Sequence, residues 1–126
     1  MGTSMRLEIT GPIKGGKNNY LVLRNGMHVP RPAWKMWRDE VVARLAEQGQ
    51  KFECITVACD VTIDYRAGDM RRRDIPAIVD AIFHCLERAK ILTDDFLVKD
   101  LTFRTRYDKN LSGATIDISP HENRWH

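Results

Sequence analysis

Two segments of this chain carry apolar residues at helical spacing, and strand-like segments stand before, between and after them. In the first segment Trp34, Trp37, Val41 and Leu45 recur every three or four residues, as in a helix with one buried face. The second segment, residues 78–86, shows the same period. A chain with this alternation buries its helices against a sheet.

Turn and capping signals set the expected boundaries of these elements. Pro30 and Pro32 open the first helix, predicted at residues 33–48, and Gly49 ends it. The second helix is predicted at residues 76–89. Strands are predicted at residues 5–10, 20–24, 27–29, 52–65, 98–107 and 114–119. We therefore expect an α+β fold, a mixed sheet of about five strands with two helices packed on one face.

The length of 126 residues suits one domain. We expect a single domain over residues 1–119 and a flexible, polar C-terminal tail over residues 120–126. No stretch approaches the roughly 20 apolar residues that cross a bilayer, and no secretory signal is evident, so a cytoplasmic protein is expected. Cys54, Cys59 and Cys85 lack the spacing of a metal-binding pair and are expected to be reduced core residues.

Cations are concentrated in two places, although the net charge is only +3. Residues 9–38 contain several lysines and arginines and no acidic residue. Arg66 and the run 71–73 form a second group, directly before Asp74. This distribution favours an anionic partner, with nucleic acid as the leading candidate. The alternative is a solvent-exposed surface that is basic without binding anything.

Carboxylates lie before, within and after the second predicted helix. Asp74 precedes it, Asp80 lies inside it, and Asp94 and Asp95 follow it. Carboxylates from separate elements can hold a divalent cation such as Mg²⁺, which needs oxygen ligands. Such an ion promotes phosphodiester hydrolysis. The pattern therefore indicates a candidate metal site.

Each of these aspartates also has a purely structural interpretation. Asp74 can cap the helix, since aspartate is a favoured N-cap residue. However, Ile75 precedes Pro76 and is disfavoured at helical angles, which predicts a helix start at Pro76 and leaves Asp74 one residue outside the cap. Asp94 and Asp95 can be turn residues.

Four short motifs occur in an order that resembles the RusA-like Holliday-junction resolvases. They are Lys17-Asn18-Asn19 in the early loop, Trp37-Arg38 in the first helix, Arg72-Arg73-Asp74 before the second, and Asp94-Asp95 after it. The resemblance extends from the first strand to about Ile118. It implies a homodimer that binds four-way DNA junctions and makes paired, Mg²⁺-dependent nicks, with Mn²⁺ as a substitute metal and no small-molecule cofactor.

The resemblance assigns catalytic, metal-binding roles to Asp74, Asp94 and Asp95. It fails at Pro76, where the family pattern Arg-Asp-x-Asp-Asn has a second aspartate. Asp80 lies four residues later on the same helix face, and we hypothesise that it replaces the missing ligand. The alternative is that Asp80 is a solvated residue, and the site then lacks a metal ligand and is catalytically impaired.

The candidate DNA-binding residues are basic or amide side chains, the types that contact phosphates. They are Arg71, Arg72, Arg73, Lys17, Asn18, Asn19, Arg104 and Lys109. Three functions remain open. The first is an endonuclease that resolves Holliday junctions in recombination and repair. The second is a junction-binding protein of the same fold whose catalysis is weakened or lost, and the third is a basic α+β module with no DNA role.

Overall fold

The computed structural model describes residues 4–15 and 20–122. These residues form two α-helices and six strands. They are β1 (Met5–Thr10), β2 (Tyr20–Val22), β3 (His28–Pro30), α1 (Pro32–Gly49), β4 (Cys59–Ala67), α2 (Ile75–Arg88), β5 (Val98–Tyr107) and β6 (Gly113–Pro120), with a 3₁₀ turn at Asp95–Leu97. No described helix is long and apolar enough to cross a membrane.

Four of the strands form one mixed sheet in the order β1-β6-β4-β5. β4 and β5 run parallel, whereas β6 is antiparallel to both β1 and β4. β2 and β3 pair with each other as a separate hairpin. The predicted α+β fold with a mixed sheet and two helices is confirmed. The main sheet has four strands because the hairpin does not join it.

The core lies between one face of the sheet and the helices. Val61 and Ile63 of β4 are fully buried, together with Ile82 of α2 and Leu45 of α1. Side chains alternate along a strand, so Thr62 and its like-facing neighbours point to the opposite, polar face. The apolar stripes recognised in the sequence are therefore the surfaces that cover the sheet.

Two tryptophans of α1 hold the loop that follows β1. The indole nitrogen of Trp34 donates to the carbonyl oxygen of Lys14 at 3.0 Å, and that of Trp37 donates to Pro12 at 3.0 Å. Trp34 is 2% exposed. The loop then approaches α2, since a side chain added at Gly15 would lie 3.0 Å from the Cβ of Ala77.

The strand predicted at residues 52–65 is shorter than expected at its start. Before β4, Ile55 pairs outside the sheet: its N–H donates to Ile91 O at 2.8 Å, and its carbonyl accepts from Thr93 N at 3.1 Å. Cys54 is exposed in this segment, so its prediction as a core residue is wrong, whereas Cys59 and Cys85 are buried as expected.

The chain remains ordered past residue 119. Pro120 belongs to β6 and pairs with Cys59, and the N–H of His121 donates to Ala58 O at 3.1 Å. Pro120 and His121 of the predicted tail are therefore held by the sheet and its neighbouring segment, and residues 123–126 lie outside the described part of the chain.

The parallel pairing of β4 and β5 places the two ends of α2 at opposite ends of the sheet. A parallel pair needs a crossover connection that carries the chain back to the starting edge. α2 is that crossover and has 14 residues, which span about 20 Å at about 1.5 Å per residue. Its first turn follows the end of β4, and its last turn precedes the start of β5.

Candidate functional site

Three carboxylates meet beside the last turn of α2. Glu87, Asp94 and Asp95 each offer a ligand oxygen, and these oxygens lie within 4.8 Å of one another. The backbone N–H of Asp95 donates to Glu87 Oε1 at 2.8 Å, and Asp94 Oδ1 accepts from the N–H of Phe96 at 3.1 Å. We refer to Glu87, Asp94 and Asp95 as the acidic cluster.

The electrostatics of the acidic cluster favour a bound cation. A hydrogen bond shared with the Asp94 carboxyl group raises the pKa of Asp95, and slight burial and the negative charges of Asp94 and Asp80 raise it further. Like charges held this close disfavour full ionisation. A hard divalent cation would relieve the repulsion and prefers such oxygen ligands.

Asp80 lies near the acidic cluster without belonging to it. It is exposed on α2, seven residues before Glu87, and two helical turns place both residues on one face. Its charge reaches Asp95. The sequence prediction named Asp94 and Asp95 of this cluster and placed Asp80 with them, but it did not name Glu87, although the seven-residue spacing from Asp80 along one helix was a usable signal.

Asp74 lies at the other end of α2 and caps it. The helix begins at Ile75, and Asp74 Oδ1 accepts from the N–H of Ala77 at 3.3 Å. The prediction that Asp74 lies outside the cap is wrong, because the helix begins at Ile75, one residue before Pro76. Asp74 and Glu87 are thirteen residues apart, or about 20 Å along the axis. Asp74 therefore does not share one ion with the acidic cluster of the same chain.

The basic segment before α2 is held by its own residues. Arg73 donates to Asp69 Oδ1 at 2.7 Å and to the carbonyl oxygens of Asp69 and Arg71 at 3.0 and 2.8 Å. The backbone N–H of Arg71, followed by the Arg73 guanidinium, lowers the pKa of Asp69. Arg71 and Arg72 are exposed, whereas Arg73 is half-buried. Arg73 thus fixes the segment from which Arg71 and Arg72 project.

The other predicted DNA-binding residues lie at this same end of the sheet, where the described chain includes them. Arg104 is exposed in the second half of β5, and Lys109 is exposed in the turn after it. Lys17, Asn18 and Asn19 lie outside the described residues, although the loop leading to them reaches Ala77 at Gly15. The predicted phosphate-binding residues that the structure describes and the acidic cluster therefore lie at opposite ends of α2.

A second cluster forms at the end of the sheet where β4 and β5 begin. His121 Nδ1 lies 2.7 Å from Asp60 Oδ1 and 3.6 Å from Asp100 Oδ2, and the three residues bring their ligand atoms within 4.8 Å of one another. This mixed nitrogen and oxygen set could hold a metal ion. No sequence spacing revealed it, because Asp60 and Asp100 meet only through the parallel register.

A cavity of about 810 Å³ opens beside the acidic cluster, between α1, α2 and the segment after α2. Its lining residues are Asp39, Val42, Ala43, Cys54, Glu87, Arg88, Lys90, Leu92 and Thr93. Glu87 therefore belongs to both the cavity and the acidic cluster. The cavity offers space for an organic group next to a candidate cation.

No protein-family model matches this chain, and no curated protein matches it. The similarity to the RusA-like resolvases therefore stays a prediction that rests on its motifs. The chemistry of the acidic cluster, the basic end of α2 and the adjoining cavity is what indicates a function.

Proposed function

We propose that this protein is a Mg²⁺-dependent endonuclease that cuts four-way DNA junctions as a homodimer, in recombination and repair. The observation that carries the proposal is the acidic cluster. Exposed Asp94 and Asp95 lie close to the half-buried Glu87, and the carboxyl group of Asp94 raises the pKa of Asp95. Carboxylates this close repel one another, and a divalent cation with oxygen ligands relieves that repulsion.

The acidic cluster would hold the ion through one oxygen from each residue. Asp80, two turns before Glu87 along α2, would act through a water molecule. When bound, Mg²⁺ polarises a phosphodiester and activates the attacking water. Mn²⁺ is the substitute metal that suits the same oxygen ligands. Glu87 would thus take the place of Asp74, which is too distant to bind the same ion. Asp80 would take the place of the family aspartate that Pro76 replaces.

The basic end of α2 would bind DNA away from the cut. Arg71 and Arg72 precede the first turn of α2, which lies about 20 Å along the helix axis from its last turn. Duplex DNA rises about 3.4 Å per base pair, so about six base pairs fit between the two ends of the helix. Arg71 and Arg72 would therefore contact phosphates of a flanking arm rather than the scissile phosphate. Arg104 and Lys109 lie at the same end and would extend this contact.

The second candidate is a junction-binding protein that does not cut. The observation in its favour is the engagement of Asp74 as a helix cap, together with Pro76 in place of a family aspartate. If the family's chemistry requires carboxylates from both ends of α2, this chain lacks it. Binding through the basic end would remain.

The test is an assay on a labelled four-way junction with Mg²⁺, Mn²⁺ or EDTA, at several salt concentrations and with a linear duplex as substrate control. We expect symmetric nicks in the junction that require the metal and are lost in Asp95→Asn. Asp64→Asn, on the polar face of β4, is the matched control and should cut normally. Sedimentation should give twice the 14.6 kDa mass of the chain.

The outcomes separate the candidates. A salt-sensitive mobility shift without nicks supports the binding protein, because phosphate contacts release counterions. Neither nicks nor a shift rejects both. Equal cleavage by Asp95→Asn and the unmodified chain would contradict the assignment of the acidic cluster.

A further inference from the structure

The cavity beside the acidic cluster has an apolar floor and a charged rim. Val42, Ala43 and Leu92 form part of its lining, and Glu87, Arg88 and Lys90 stand among its charged residues. Its volume of about 810 Å³ falls within the roughly 300–1,000 Å³ of small-molecule sites. Apolar floors with a few placed charges suit a ring system that carries an ionic group.

The rim of this cavity carries both acidic and basic side chains. Asp39 is paired with Arg38 at 3.1 Å, and Glu87 accepts from the N–H of Asp95 at 2.8 Å. Arg88 and Lys90 are exposed, and neither side chain has a hydrogen-bond or ion-pair partner among the described residues. An anionic group, such as a phosphate, therefore complements these two cations.

The backbone of Lys90 carries an independent indication. Lys90 has a φ of 60°, and it directly follows the helix cap, with Ile91 N donating to Leu86 O at 3.0 Å. Glycine is the usual residue at this left-handed position because it has no side chain to clash. A strained backbone at a cavity rim is the kind of outlier from which a role of its side chain can be inferred.

We propose that this cavity binds one unpaired nucleotide of a DNA strand, with its phosphate on Arg88 and Lys90 and its base on the apolar floor. The proposal deepens the nuclease function and rests on it for the identity of the strand. Since Glu87 lines the cavity and belongs to the acidic cluster, the bound nucleotide lies beside the cation that would cut its neighbour. Selectivity for branched DNA then follows, because only unpaired nucleotides can enter.

Cys54 provides a readout of this cavity that needs no catalysis. It lines the cavity and is exposed, whereas Cys59 and Cys85 are buried. We would measure the alkylation rate of Cys54 by iodoacetamide in the full chain, in EDTA, by mass spectrometry. A pentathymidylate should slow it about tenfold when present at about ten times its dissociation constant.

Five controls make the result specific. Thymidine, which has no phosphate, and a fully paired duplex should leave the rate unchanged; equal protection by either would overturn the phosphate or the unpaired assignment. Arg88→Gln and Lys90→Gln should each raise the oligonucleotide concentration needed for half protection about tenfold, the loss of one charge-assisted contact. Lys51→Gln, a lysine at an exposed position outside this cavity, should change nothing.

The proposal and the nuclease function can fail separately. Protection of Cys54 without any cleavage would sink the nuclease and leave the nucleotide site standing. Cleavage without protection, or protection that is unchanged in Arg88→Gln and Lys90→Gln, would overturn the nucleotide site alone.

Discussion

The two ends of α2 use the same residue types in opposite ways. At the first end, Asp74 caps the helix and Asp69 pairs with Arg73, so each carboxylate has a donor from its own chain. At the last end, Asp94 and Glu87 also accept from backbone N–H groups. The Asp95 carboxyl group instead lies against that of Asp94, which raises its pKa. The difference teaches that the surroundings of an aspartate, not its place in a motif, decide whether it supports the fold or is available to a ligand.

The largest expected effect separates the two ends by cleavage. Asp95→Asn should lower the rate of Mg²⁺-dependent junction cleavage about 100-fold or more, because a metal contributes several kcal/mol of charge stabilisation. Asp74→Asn should retain cleavage to within a factor of about three, because asparagine caps a helix as well as aspartate does. Comparable losses in both variants would show that the two ends act in one site, and the comparison would fail.

The second effect separates the ends by stability. Asp74→Ala should lower the free energy of unfolding by about 1 kcal/mol, the usual cost of a lost N-cap, while Asp74→Asn should change it by a few tenths. Urea denaturation in EDTA measures both. Asp95→Asn is the comparison at the other end and should not destabilise the chain, since it removes a repulsive charge. A destabilisation equal to that of Asp74→Ala would contradict the view that this end is electrostatically crowded.

The third effect concerns Lys90. Lys90→Gly should raise the free energy of unfolding by about 0.5–1 kcal/mol, because glycine adopts a positive φ without steric cost. This gain is what remains after the extra freedom that glycine gives the unfolded chain is subtracted. The same variant should weaken protection of Cys54 by the oligonucleotide. Lys90→Ala is the control, since it removes the ammonium group and keeps the strain. If Lys90→Gly lost stability, the strain assigned to this residue would be absent.

The smallest effect is a difference in the response to acid. The pKa of Asp69 is lowered from 3.8, so its contribution to stability is present above pH 3.8 and is lost as the pH falls through its folded value. The pKa of Asp95 is raised from 3.8, so its ionised form costs stability above its folded pKa, and this cost disappears as the pH falls toward 3.8. Unfolding of Asp69→Asn and Asp95→Asn in EDTA at several pH values, beside carboxyl NMR titration, checks both signs. If the carboxyl pKa values of Asp69 and Asp95 were both lowered or both raised from 3.8, the two ends of α2 would not differ in their response to acid.

Local patterns predicted most of the fold. β5 was predicted at residues 98–107 as observed, and the predicted bounds of α2 differ by one residue at each end. Both predictions succeed because the spacing of apolar residues along the sequence matches the buried face of the strand or helix that they form. The start of β4 was missed because residues 52–58 have strand-like side chains but pair with the segment after α2 at Ile55. Propensity cannot distinguish these two partners, which are chosen by tertiary contacts.

The site was predictable only in part. Asp94 and Asp95 are neighbours in sequence and were found together, whereas their separation from Asp74 depends on the length and direction of α2. Two motifs can follow each other at the expected separation in sequence and still lie far apart in space, because a helix between them places them at its opposite ends. Asp60 and His121 were beyond reach, since their meeting requires the register of three strands.

The hydrogen bonds from α1 to the first loop have an optical consequence. The indole groups of Trp34 and Trp37 are tied to Lys14 and Pro12, within the same loop that continues toward residues 17–19. If a DNA arm binds this loop as proposed, a displacement of the loop changes the polarity around one or both indoles. In a Trp125→Phe chain, the tryptophan emission wavelength would then report arm binding without a label, on the millisecond scale and before any strand is cut.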